Sequence, residues 1–389
     1  MDQRLNPYSP GAGRRPTALV GRDPELEAWT VARQRIEAGR DAQSVVLYGL
    51  RGVGKTVLLN EFAKQVGEAG WIVAQIEAGT QSLRVALTAA LRGPLHDVTR
   101  PSMGARLKQG LKTASSFFHA TMYASGTWSV GLDLKDVQGS DAGTGQIEID
   151  LATLTRDLAA AAAEDGHGLA ILVDEAQDLA GEDLLALCSV AHTASQRQWP
   201  VLFALAGLPS LPRVLTEARS YAERLFSYLA VEQLLPDYAK AAVRDPAASE
   251  GVDWSTKALE AVTAAADGYP YFLQQFGQEC WNEAAASPIG LDDARVGVAS
   301  GTVKLDNGFF RARWDRATSA EKQYLRAMAD DGEGGSSTGV IAQRLGRRTQ
   351  SLGPARASLI SKGLIFAPDH GLVKFTVPGM AAFIHRQPD

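Results

Sequence analysis

Gly49-Leu50-Arg51-Gly52-Val53-Gly54-Lys55-Thr56 is the segment that most restricts what this 389-residue chain can fold into. It fits G-x-x-x-x-G-K-[ST] in full, and it follows Val45-Val46-Leu47-Tyr48, an apolar run of strand length. A helix is expected from about Gly54, with Val57 in its first turn. The glycines let the backbone curl until successive N–H groups converge, and the helix N-terminus adds positive potential. Such a loop is built for phosphate. Lys55 is expected to bridge β- and γ-phosphates, and the Thr56 hydroxyl to coordinate Mg²⁺.

A second segment completes the expectation. Leu169-Ala170-Ile171-Leu172-Val173 runs straight into Asp174-Glu175, as a buried strand delivering two carboxylates to a sheet edge would. Asp174 is expected to hold the metal and Glu175 to polarise the attacking water as a base. Further strands are expected at residues 71–76, 201–206 and 228–231. Short, nearly all-apolar strands alternating with helices argue for an α/β fold: a parallel sheet with helices on both faces. The six histidines are scattered with no metal-ligand spacing, and no G-x-S-x-G elbow occurs. Cys188 and Cys280 lie far apart and read as buried thiols. No stretch approaches the roughly 18 apolar residues of a membrane span. Met1 to Thr17 lacks the apolar core of a secretory signal, so a cytoplasmic protein without membrane contact is expected.

Residues 1–16, rich in Pro and Gly, read as a flexible arm before an ATPase domain over 17–235. Residues 81–150 form a long insertion, expected to carry a helix at 105–118. It also holds two alternating runs, 128–134 and 146–151, that predict a β-hairpin and a surface for a protein partner. A helical region over 236–305, punctuated by Pro236, Pro246 and Pro270, is expected to give way near Asn307-Gly308 to a last domain at 306–389. That domain reads as three helices and a two-stranded wing. Thr318 caps the first helix, Ser336 or Ser337 starts the second, and Ser351 is the expected N-cap of the third because Pro354 fits only a first turn. From Arg311 onward there are 12 Lys and Arg against 7 Asp and Glu, on a body carrying 27 against 37. Arg347, Arg348, Gln350, Ser351 and Arg356 near the third helix, with Lys374 on the wing, are therefore candidate contacts to duplex DNA.

In order, these motifs resemble AAA+-related ATPases of the archaeal-ATPase and origin-recognition type, which border on the STAND signalling ATPases. Beside the two phosphate motifs, the resemblance rests on Leu19-Val20-Gly21-Arg22-Asp23-Pro24-Glu25-Leu26-Glu27 and on Gly268-Tyr269-Pro270. It implies that the Gly21-Arg22 turn and Pro270 lie near the base, that ATP and Mg²⁺ are bound, and that ADP is the product. A nucleotide-dependent homo-oligomer is a further expectation. Arg224, in Ala222-Glu223-Arg224-Leu225-Phe226, resembles an arginine-finger segment. Ala206-Gly207-Leu208-Pro209-Ser210 lacks the Asn or Thr of a first sensor, and the helix after Pro270 offers Gln274 and Gln275 instead of a sensor arginine. Those departures imply slow hydrolysis and a switch. In the DNA-loading relatives the winged helix binds DNA; in the STAND relatives it is an intramolecular latch. Both readings stay open at this level.

Overall fold

The computed structural model describes residues 1–79, 81–97, 105–125 and 144–388. Five strands, β1 (Ser44–Tyr48), β2 (Ile72–Glu77), β3 (Leu169–Asp174), β4 (Val201–Gly207) and β5 (Phe226–Ala230), form one sheet in the order β2-β3-β4-β1-β5. Every pairing is parallel. β3 and β4 are buried throughout, as central strands covered on both faces must be. Alternation along β1 sends Val45 and Leu47 into one core and Val46 into the other. The first face is covered by α1 (Asp23–Glu37) and α2 (Lys55–Glu68), joined by Trp29 stacked on Phe62 with ring centroids 4.9 Å apart.

The expected hairpin is corrected in its second half. Residues 146–151 open an α-helix, not a strand. Between β2 and β3 the described residues hold α3 (Leu83–Asp97), α4 (Ala105–Ser125) and α5 (Ile147–Ala163). The expected strand 128–134 lies outside the described residues. Alternation misled because two periods share this short run. In helical register Leu151, Leu154 and Leu158 are buried, whereas Ile149, apolar in the strand reading, is 45% exposed. Asp150 is fully buried and paired with Arg84, and it also accepts from the backbone N–H of Thr144 and Gly145.

After β3 come α6 (Gly181–Gln196), then, past β4, α7 (Leu211–Ala218) and α8 (Ala222–Leu225). Four helices follow: α9 (Pro236–Ser249), α10 (Thr256–Ala266), α11 (Pro270–Glu283) and α12 (Leu291–Lys304). Pro236 and Pro270 occupy first turns, but Pro246 lies inside α9 and does not end it. At the expected boundary there is no linker. Asn307 and Gly308 belong to a π-helical turn, Leu305–Phe310, that carries α12 directly into α13 (Arg311–Trp314).

The C-terminal part packs α14 (Ser319–Ala329), α15 (Thr338–Arg344), α16 (Gly353–Ser361) and α17 (Met380–His385) with three short antiparallel strands. These are β6 (Ser336–Ser337), β7 (Ile365–Phe366) and β8 (Leu372–Phe375), ordered β6-β8-β7 in a winged-helix arrangement. Thr318 and Glu321 make a reciprocal capping box, and Ser337 caps α15. Ser351 is not a cap. A 3₁₀ turn over Thr349–Leu352 precedes α16, Arg348 takes the extended conformation at its start, and the Ser351 hydroxyl donates back to the Arg348 carbonyl.

The N-terminal arm is also a correction. Its Pro and Gly content suggested a free tail, yet it docks on the four-helix region. Tyr8 is 2% exposed. Its hydroxyl donates to the Val243 carbonyl and accepts from Trp254 Nε1 at 3.0 Å. Asn6 Nδ2 donates to Gln278 O and Asn282 Oδ1, and Trp281 Nε1 donates to Asp2 O. Gly277 makes this possible, because a Cβ there would stand 2.7 Å from the Tyr8 ring. Among the described residues no helix is long and apolar enough to cross a membrane.

Candidate active site

Because the sheet is parallel, the C-terminal ends of β1, β3 and β4 reach one edge, and the loops leaving them meet there. The loop 49–54 follows β1, Asp174 ends β3, and Gly49 N–H donates to the Gly207 carbonyl at the end of β4. Gly52 is left-handed, with φ +86, and lies under Tyr269 and Tyr271, the nearest Tyr269 ring carbon standing 3.0 Å from where a Cβ would be. A side chain there would be strained and would push the start of α11 off the loop.

A cleft of about 310 Å³ opens over this edge. The whole loop segment from Arg51 to Val57 lines it, with Asp174 and Glu175 on one side and Pro270, Tyr271 and Gln274 of α11 on another. The arm supplies a further wall through Ser9 to Arg14, and Arg22 joins it.

Lys55 is 6% exposed, its ammonium donating to Gly49 O at 2.9 Å and Leu50 O at 2.8 Å. Burial lowers its pKa from 10.5 to about 8, against the opposing pull of Glu175 and Asp174. Thr56 Oγ1 donates to Asp174 Oδ2 at 2.6 Å, so a hydroxyl and a carboxylate converge as the hard oxygen donors that Mg²⁺ prefers. Glu175 has φ 49, a left-handed conformation uncommon for a residue with a side chain. Its Oε1 accepts from Arg51 Nη1 at 2.6 Å and its Oε2 from Gln177 Nε2 at 2.7 Å. Arg51 thereby joins the phosphate loop to the candidate base, while its backbone N–H donates to Thr376 O just beyond β8 at 3.0 Å.

Gln177 escaped the sequence reading. Its Oε1 accepts from Leu208 N–H at 3.0 Å, so one amide ties Glu175 to the end of β4, where no first sensor follows the strand. Only its position two residues past Glu175 could have drawn notice. Arg22 is buried and donates to Val53 O at 2.9 Å and Glu232 O at 2.6 Å; Gly21 turns against Tyr238. Arg224 lies elsewhere. It is exposed on α8, just before the N-terminal end of β5, so the length of the sheet separates it from the cleft.

Of the candidate DNA contacts, Arg347, Arg348, Gln350 and Ser351 are exposed. Arg347 reaches only Gln323 at 3.5 Å, and neither arginine makes an ion pair among the described residues. Arg356 is half-buried with its Nε unpartnered, and the half-buried Lys374 lies over Gly335.

Residues 18–204 match the family model for an AAA ATPase domain, and residues 307–384 match a domain of unknown function (DUF8462). No curated protein matches the sequence. Among solved structures, the chain is similar to the Walker-type ATPase of Pyrococcus abyssi. Identity is 16% and the TM-score 0.55, over 94% of this chain and 96% of that one. Cdc6p of Pyrobaculum aerophilum gives 14% identity and a TM-score of 0.49 over 99% and 97% of the two chains. The RuvB Holliday junction branch migration motor of Thermotoga maritima gives 14% and 0.45 over 92% and 95%. At these identities the likeness to the Pyrococcus ATPase is one of fold.

Proposed function

We propose that this chain is an AAA+-related ATPase of the archaeal-ATPase and origin-recognition type and acts as a slow nucleotide-driven switch coupled to duplex DNA through its C-terminal winged helix, a reading supported by the AAA ATPase domain match over residues 18–204. One observation carries the reading. The C-terminal part leaves Arg347 and Arg348 exposed and, among the described residues, without an ion pair, while its wing holds the phosphate loop through Arg51 N–H and Thr376 O.

The roles follow from the cleft. Lys55 and the loop amides bind the phosphates, and Arg22 and Pro270 flank the base. Thr56 and Asp174 hold Mg²⁺, which when bound offsets phosphate charge. Glu175 activates water once Arg51 releases its carboxylate, and the double restraint on that carboxylate accords with slow turnover. Arg224, far from its own cleft, would serve a neighbouring copy in a nucleotide-dependent oligomer. The helices of residues 81–150 remain a proposed surface for a protein partner.

The Lys55 ammonium predicts a proton linkage. Phosphate restores the charge that burial disfavours, so ATP binding above about pH 8 takes up a proton and weakens as pH rises further. Calorimetric titration at pH 8.5 in buffers of different ionisation enthalpy reads the uptake; buffer-independent heats would argue against it. The sign for stability is opposite. Between pH 8 and 10.5 the folded ligand-free protein holds fewer protons here than the unfolded chain, so this group's contribution to stability rises with pH in that window.

DNA binding has its own test. Changing Arg347→Ala with Arg348→Ala should weaken duplex binding and flatten the dependence of log K on log salt by about two units, at roughly 0.9 per phosphate. ATP affinity should not change. Anisotropy titrations over a salt series measure both quantities. The wing contact also favours a second reading, an intramolecular latch. No duplex binding by wild type, with faster ADP release when the wing contact is weakened, would sink the DNA reading and leave the latch.

A further inference from the structure

The cleft carries more positive charge than its acids offset. Arg14, Arg22, Arg51, Lys55 and Arg313 line it, against only Asp174 and Glu175. Both acids are already engaged, Asp174 by Thr56 and Glu175 by Arg51 and Gln177. Arg22 is tied to two carbonyls and to Glu25 at 3.7 Å, and Lys55 to two loop carbonyls. Arg14 is exposed, so solvent screens it. Arg313 is half-buried. It makes no ion pair among the described residues; its Nη1 donates to the Phe309 carbonyl, and its guanidinium lies over the Phe309 ring with Cζ 4.0 Å from the centroid. Its strongest charged neighbour is another cation, Arg51, and burial with that neighbour depresses its pKa while leaving it protonated at neutral pH. A half-buried cation facing a second cation is unfavourable without an anion to share.

The element that carries Arg313 is also unusual. It follows the π-helical turn Leu305–Phe310, a local irregularity often found at functional sites. Phe309 stacks on Tyr271 of α11, at 4.8 Å and 23°. The adjacent Phe310 stacks on Phe383 of α17, at 5.3 Å and 19°. A displacement of Arg313 therefore bears on α11 on one side and on the C-terminal part on the other.

We propose that Arg313 is a phosphate-contacting residue of the cleft that separates nucleoside triphosphate from diphosphate and transmits the difference to the C-terminal part. The inference rests on the ATPase reading above. A triphosphate brings additional negative charge to the end of the cleft where Arg51 meets Glu175, the same end on which Arg313 borders. No sequence motif marks this residue, which lies two helices beyond α11.

The full chain is compared with Arg313→Ala and Arg313→Lys by equilibrium titration with Mg²⁺–ATP and with ADP. Arg313→Ala should lose about tenfold or more in ATP affinity, as for one charge-assisted contact, and less than about threefold in ADP affinity. Arg313→Lys should recover much of the loss. The ligand-free melting temperature of Arg313→Ala should be unchanged or higher, since an uncompensated cation has been removed. In wild type, hydrogen exchange across residues 305–314 should slow more with ATP than with ADP, and Arg313→Ala should abolish that difference. Unchanged ATP affinity, or equal losses for ATP and ADP, would overturn the proposal, as would wild-type exchange indifferent to nucleotide. Wild type that binds neither nucleotide would overturn the ATPase reading and this inference with it.

Discussion

Lys55→Ala is expected to abolish tight binding of ATP–Mg²⁺, with affinity falling at least about 100-fold. Removing one partner of a desolvated, hydrogen-bonded charge pair costs about 2–5 kcal/mol, and every 1.4 kcal/mol is tenfold. Lys55 suits such a loss because it is buried at the first position of α2 and held toward the loop by two carbonyls. Those carbonyls lose their donor in the variant, so Lys55→Met, which keeps the length of the stem, serves as a packing control. Titration with a fluorescent ATP analogue, beside melting curves for both variants, measures the effect. Full affinity in a folded Lys55→Ala protein would remove the phosphate loop from the binding site.

Glu175→Gln should retain ATP and hydrolyse it at least about tenfold more slowly, within the roughly 10²–10⁴ that a positioned base supplies. The local bonds sharpen this expectation. The substitution neutralises the acid that holds Arg51 at 2.6 Å, which leaves a freed guanidinium on the cleft wall. ATP should therefore bind as well as in wild type or better, even as turnover drops. Single-turnover hydrolysis with saturating enzyme separates chemistry from binding. A rate equal to wild type would make Glu175 a structural partner of Arg51 and put the base elsewhere.

The parts of this site that could be read in the sequence carry their geometry in a short stretch of chain. Residues 45–56 specify a strand, a turn and the start of a helix together, and 169–175 specify a buried strand ending in acids, so the sheet edge followed from both. The residues that escaped notice act only across the fold. Gln177 matters because Leu208 arrives beside it from another strand, and Arg313 because a π-helical turn aims it at a loop more than 250 positions away. Residues 146–151 were misread for a local reason. Six residues of alternating polarity satisfy a strand, and only Leu154 and Leu158 beyond them reveal the helical stripe. Arg224 stands apart: the direction of β5 carries its segment to the far end of the sheet, so a finger role would fall on a neighbouring copy's cleft.

The docked arm has a consequence for the order in which the molecule comes into being. Val243, Trp254, Gly277 and Asn282, which hold Tyr8 and Asn6, are made more than 230 residues after them. At about 5–20 residues per second, that delay is on the order of tens of seconds. During this interval the phosphate loop can form on its sheet, while the wall that Ser9 to Arg14 give the cleft has nothing to lean on. A nascent chain released before α11 should thus keep its strands and loop yet lack an enclosed cleft. Nucleotide capture becomes a mark that α11 has been made, and the arm is held in place only long after it has itself been made.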